Sequence, residues 1–148
     1  MTEKNSYSEL NWASQKELTD FAAALTEENL TAHMPADWTV SAVFGHLAFW
    51  DFRNITLIKK WLAEGNVSTS PIDVDVVNEA TRPLLIAINP HQAVQMALER
   101  ARELDTLIDS LDPDFIHAIE AEGKAVRLDR NRHRQTHMND IQAALGLK

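Results

Sequence analysis

The residues best suited to chemistry sit near the end of the chain, in His133-Arg134-Gln135-Thr136-His137. Two histidines four apart on a helix stand one turn apart on one face, with both rings pointing the same way. That spacing suits one metal ion held by two imidazoles. At about 100° of turn per residue, His133, His137, Ile141, Ala144 and Leu145 share an arc of roughly 120°. Ile141 and Leu145 are expected to face a core, so the two histidines are expected to face inward with them. A buried imidazole needs partners for both ring nitrogens. Two of them side by side require a carboxylate, waters or a metal. The same pair also occurs by chance on solvated helices, so a third ligand has to come from elsewhere.

His46 is a candidate. It lies in the apolar run from Val40 to Trp50, flanked by Val43, Phe49 and Trp50 on its own face. A lone histidine there is ordinarily a core residue with satisfied hydrogen bonds, so the run leaves the ligand and core readings both open. His33 reads as a loop residue, His91 as exposed in a first turn, and His117 as an ordinary histidine without ligand spacing. The chain has no cysteine, which excludes disulfides, a cysteine nucleophile and thiolate ligands.

Helices must position these groups. Residues 5–26 follow helical spacing through Asn11, Ser14, Leu18, Phe21 and Leu25. Residues 27–37 read as a connector. A second long helix spans 39–64, with Thr39 as N-cap and Gly65-Asn66 as its stop. After a loop at 66–71, residues 72–88 are apolar with helical tendencies, and Pro83 caps or kinks what forms there. Asn89-Pro90 opens a third long helix with a stripe of Val94, Ala97, Leu98, Ala101, Leu104, Ile108 and Leu111, ended by Asp112-Pro113. Residues 114–127 are mixed, and the last helix carries the histidine pair. No segment alternates with period two for long enough to make a sheet. The expectation is an all-α domain over 1–148, a four-helix bundle with an additional short helix between the second and third long helices.

The balance of 14 basic and 22 acidic residues, net −8, argues against nucleic acid as a partner. No apolar leader and no stretch near 18 apolar residues is present, so a cytoplasmic protein without a membrane partner is expected.

The segment Trp38-Thr39-Val40-Ser41-Ala42-Val43-Phe44-Gly45-His46-Leu47-Ala48-Phe49-Trp50-Asp51 resembles the second-helix signature of the DinB-like metalloenzyme superfamily. That superfamily includes the metal-binding domain of mycothiol-dependent maleylpyruvate isomerase. Its pattern is a tryptophan, a capping Ser or Thr, an apolar helix with one histidine, and much later a His-x-x-x-His or Glu-x-x-x-His. Here 87 residues separate His46 from His133, and the ending His137-Met138-Asn139-Asp140-Ile141-Gln142-Ala143-Ala144-Leu145 is similar to the family's last helix. The resemblance covers essentially the whole chain. It implies a four-helix bundle, often a homodimer, with a divalent metal held by His46, His133 and His137.

Three neutral imidazoles suit zinc, nickel, iron or manganese and leave positions open for water and substrate. Because some members of the superfamily are thiol-dependent transferases or isomerases, the resemblance implies a metal-dependent enzyme acting on a small molecule. Any thiol would arrive as a low-molecular-weight co-substrate. The alternatives are a metal- or ligand-binding bundle without turnover, and a purely structural bundle. Arg130 and Arg134 fall in the arc of the ligands, where cations repel a dication unless they meet an anion. Arg134, and Arg53 two turns beyond His46, are therefore candidate contacts to an anionic substrate, with a protein carboxylate as the competing partner. Glu120, Glu122 and Asp140 are candidates for a general base by position only. Finally, Phe44, Leu47, Phe49, Trp50, Phe52, Ile55, Leu57, Ile58, Trp61 and Leu62 surround most of the second helix. One core is not expected to cover them all, so a homodimer with some of these aromatics at its interface is expected.

Overall fold

The computed structural model describes residues 5–147, so the ends of the expected 1–148 domain lie outside the described residues. Seven α-helices carry these residues: α1 (Ser8–Ala24), α2 (Glu27–Thr31), α3 (Val40–Glu64), α4 (Val74–Ile86), α5 (Pro90–Ser110), α6 (Pro113–Glu122) and α7 (Asn131–Leu145). Between α2 and α3 a small antiparallel hairpin, β1 (His33–Met34) and β2 (Trp38–Thr39), sets Met34 opposite Trp38. The all-α expectation holds, and α4 is the additional helix in the connection after α3. The connector at 27–37 and the mixed segment at 114–127 contain more order than their sequences suggested, as α2 with the hairpin and as α6.

The helix limits have local causes. Thr39 Oγ1 accepts from the backbone N–H of Ala42 at 3.2 Å, and Asn89 Oδ1 accepts from His91 and Gln92 with Pro90 at the first helical position. Each satisfies donors that a first turn leaves free. Gly65 ends α3 with φ 78°, a left-handed conformation that a residue without Cβ adopts at no steric cost.

The central element is α3. It packs along α5, receives α4 on a second face, and meets α7 near its own start, while α1 lies against α5 and α7. Gly45 lets α4 approach: a Cβ there would stand 3.1 Å from Leu85 Cδ2. Two apolar clusters result. One joins Val40, Phe44 and Leu47 to Leu18, Met138 and Ile141; the other joins Ile55, Ile58 and Trp61 to Leu104, Ile108 and Ile119. Full burial of each such side chain is worth about 1.5–3 kcal/mol.

A buried polar layer lies where the two clusters divide. Asp51 stands on α3 between Ala48 of the first cluster and Ile55 of the second, and Asp105 stands on α5 between Ala97 and Ile108. Arg134 reaches Asp105 with both terminal nitrogens, at 2.9 and 2.8 Å, and its Nη1 also donates to Asn11 O and Ser14 Oγ. Gln15 Nε2 completes the carboxylate's partners at 2.8 Å. Arg130 Nη2 donates to Asp51 Oδ1 at 3.1 Å.

The expectation that one core does not cover every apolar residue of α3 holds for four of the ten. Phe44, Leu47, Ile55, Leu57, Ile58 and Trp61 are buried within this one chain, whereas Phe49 and Trp50 are half-buried and Phe52 and Leu62 exposed. The buried ones belong to the two clusters, packed against residues of α1, α5, α6 and α7. The apolar side chains most open to solvent stand instead on α4, where Leu84 is 69% and Val76 61% exposed. Among the described residues no helix is long and apolar enough to cross a membrane.

Candidate metal centre

His46 lies in the second turn of α3, and His133 and His137 lie one turn apart at the start of α7. The contact between these two helix starts brings the three rings together. Centroids are 5.4 Å apart for His46 and His133, 4.7 Å for His46 and His137, and 4.8 Å for His133 and His137. One nitrogen from each ring lies within 4.8 Å of the other two, so the three histidines could hold a metal ion. Bonds of about 2.0–2.1 Å put ligand nitrogens about 3–3.4 Å apart, so binding would draw the rings inward by an ångström or so, within reach of side-chain torsions.

Two features of the donors fit a cation. His46 Nδ1 is buried with no hydrogen-bond partner, and leaving such an atom unsatisfied costs about 1–3 kcal/mol. All three imidazoles are also held neutral, the form that ligates. Burial pushes the pKa of His46 down to about 4, helped by the nearby His137 and Arg130. Burial likewise takes His133 to about 2, with Arg130 the next cause, and lowers His137 against the opposing pull of Asp140.

The histidines do not point where the sequence pattern placed them. The stripe of α7 that enters the core is Arg134, Met138 and Ile141, with Leu145 half-buried, while His133 and His137 are half-buried at its edge and Ala144 is exposed. The two stripes share Ile141 and Leu145, and their centres differ by roughly 50–60°, about half a residue of turn. Arg134 takes the inward position because Asp105 waits there. The rings consequently open onto a cavity of about 1740 Å³, with His46, Trp38 and Trp50 on its wall. Trp38 stands edge-on to His46 with centroids 5.6 Å apart, and Trp50 does the same at 6.5 Å. Trp50 is itself anchored by its Nε1–H, which donates to Asn78 Oδ1 on α4 at 3.0 Å.

The remaining candidates fall in different places. Arg134 is corrected from substrate contact to structural cation: it is 2% exposed, bound to Asp105, and away from the cavity wall. Arg53 does reach the cavity. Its guanidinium donates to the carbonyls of Ala125 and Ser70 and to Ser70 Oγ, tying two loops to α3, and among the described residues no carboxylate bonds to it. Glu122 accepts from the backbone N–H groups of Lys124 and Ala125, and Glu120 accepts from the Tyr7 hydroxyl, so both organise loops. Asp140 lies 3.6 Å from His137 Nδ1, an ion-pair distance without a hydrogen bond, and also lines the cavity. His33, His91 and His117 are exposed and outside the cluster.

Two contributors escaped the sequence reading, Asp51 and the partner it gives Arg130. Arg130 Nη2 also lies 2.9 Å from His133 Nδ1, so the buried ion pair abuts the histidines. The signal was present. Asp51 follows Leu47 by four residues and precedes Ile55 by four, and Asp105 sits likewise between Ala101 and Ile108. A carboxylate inside an apolar stripe requires a buried cation, and Arg130 and Arg134 are one helical turn apart.

Compared with known proteins, the chain matches no family model, no curated protein and no solved structure.

Proposed function

We propose that this chain is a divalent-metal-dependent enzyme of the DinB-like kind, with α1, α3, α5 and α7 as its four-helix bundle, acting on a small molecule by thiol-dependent transfer or isomerisation. The observation that carries this reading is the convergence of three neutral imidazoles from two helices on the wall of an open, partly aromatic cavity. A structural zinc site ordinarily closes its fourth position with protein, whereas three ligands facing a cavity leave room for substrate. Bound there, a divalent ion supplies Lewis acidity, favouring the deprotonated form of a thiol or water and polarising a carbonyl.

The chain's own residues then have distinct tasks. His46, His133 and His137 hold the ion. Trp38 and Trp50 offer apolar faces and exclude water from one side of the site. Arg53, at the cavity wall without a carboxylate partner, attracts an acid group on the substrate. With no cysteine in the chain, a sulfur nucleophile has to come from a co-substrate. Zinc, nickel, iron and manganese all suit the donor set.

The test is turnover of an electrophilic substrate panel by metal-loaded protein, with and without low-molecular-weight thiols. Thiol-dependent turnover that vanishes in His46→Ala is expected. Thiol-independent turnover shifts the reading to hydrolysis, and bound metal without turnover shifts it to a binding module. The exposed apolar residues of α4, Val76 and Leu84, and of α3, Phe52 and Leu62, also favour a homodimer.

A further inference from the structure

Arg130 faces two acceptors with one nitrogen. Its Nη2 lies 3.1 Å from Asp51 Oδ1 and 2.9 Å from His133 Nδ1, while its Nε is buried with no hydrogen-bond partner among the described residues. Its Nη1 makes only a long contact, 3.4 Å, to Arg127 O. Both Arg130 and Asp51 are buried, at 6% and 4% exposure. The arrangement leaves a guanidinium poorly satisfied, although an aspartate that could take a two-pronged contact lies beside it.

A guanidinium only donates hydrogen bonds. Nδ1 of His133 must therefore present its lone pair to Arg130, and in a neutral ring the proton then resides on Nε2. Neither nitrogen is ready for a metal in this state. Coordination through Nδ1 requires the lone pair that Arg130 occupies. Coordination through Nε2 requires the proton to move to Nδ1, where it would meet the N–H of Arg130, donor against donor. A carbonyl or carboxylate behind a ligand histidine does the opposite: it accepts the far N–H and frees the other nitrogen for the metal. Beside His137 the nearest side-chain charge is instead a carboxylate, Asp140, 3.6 Å from Nδ1.

We propose that Arg130 is a latch on the metal centre: it fixes the Nε2–H tautomer of His133 in the metal-free protein, competes with the ion for that ligand, and on metal binding transfers wholly to Asp51. The transfer gives Asp51 two donors, Nε and Nη2, and satisfies the nitrogen that is now orphaned. Arg130 is thus a positioning residue that sets metal affinity and holds the site together when the ion is absent. The proposal rests on the three-histidine reading of the site.

Arg130→Gln is the informative variant. Its carboxamide oxygen can accept from Nδ1–H of His133 while its NH₂ donates to Asp51, so the buried layer keeps a bridge and the ring is freed. Two measurements separate the latch from the metal reading. The first uses no metal: ¹⁵N chemical shifts of the His133 ring, in chelator-treated folded protein, report which nitrogen carries the proton. Proton on Nε2 in the parent and on Nδ1 in Arg130→Gln is expected. Proton on Nδ1 in the parent overturns the proposal. The second is zinc affinity by competition with a chromophoric chelator. Tightening by about 10-fold or more in Arg130→Gln is expected from removing a charge-assisted bond, and weakening in Asp51→Asn, which removes the destination of the guanidinium. Zinc bound equally or more weakly by Arg130→Gln than by the parent overturns the latch and leaves the metal centre standing. Zinc bound by neither also refutes the competition, and with the expected tautomers in place the failure then belongs to the three-histidine reading.

Discussion

Acid should destabilise the metal-free protein steeply through its histidine cluster, and the size of the effect follows from the burial of the rings. An unfolded histidine titrates near 6.5, whereas His46 in the fold titrates at about 4 and His133 at about 2. Between those values the unfolded chain binds protons that the native state refuses, so stability rises with pH and is lost as pH falls below 6.5. For either residue, going from pH 6.5 to about pH 5 removes about 1–2 kcal/mol. Together they remove about 3 kcal/mol, a large part of an ordinary domain's stability of roughly 5–15 kcal/mol, and His137 adds to it in the same direction. Asp51 runs the other way, because burial raises its pKa, so the difference between parent and variant is the cleaner measure. Urea unfolding in the presence of chelator, at several values between about pH 7.5 and about pH 5, should show a shallower loss in His133→Phe, by about 1–2 kcal/mol over the lower part of that range. Saturating zinc should raise stability at neutral pH by mass action, because it binds the folded cluster alone. Equal pH dependence in parent and His133→Phe would refute the reasoning, since it would mean that the ring is accessible enough to charge within the fold.

The other expectations are direct. Arg134→Met should cost about 3–5 kcal/mol by leaving Asp105 buried without its cation, and Arg134→Met combined with Asp105→Leu should recover much of it; denaturant titration decides, and a single-variant loss below about 1 kcal/mol would contradict a buried pair. His46→Ala should weaken zinc binding by more than about 100-fold in equilibrium dialysis, whereas His91→Ala, altering an exposed ring paired with Glu27, should leave it unchanged; equal effects would mean adventitious binding. Sedimentation should return a dimer that Leu84→Glu converts to a monomer, and a monomer of the parent chain at high concentration would remove the assembly from the reading.

Much of this protein was legible without coordinates because its signals are local. Helix limits follow from a capping hydroxyl at Thr39, the Asn89-Pro90 start and the left-handed stop at Gly65, each of which acts within one turn. The His133–His137 pair is likewise local, since four residues on a helix suffice to align two rings. What tertiary structure alone decided is how those faces are turned and what covers them. Counting apolar residues set Ile141 and Leu145 inward and carried the histidines with them, but a buried charge outweighs an alanine. The pairing of Arg134 with Asp105, 29 residues away in sequence, set α7 about half a residue of turn from the expected face and left the rings on a cavity edge. The same non-local logic placed Arg130 between Asp51 and His133, and α4 over the apolar face of α3. Periodicity reports that a residue is on a face; the partner that satisfies a charge across that face is a property of the packing, because the desolvation it must offset exists only once the helices have met.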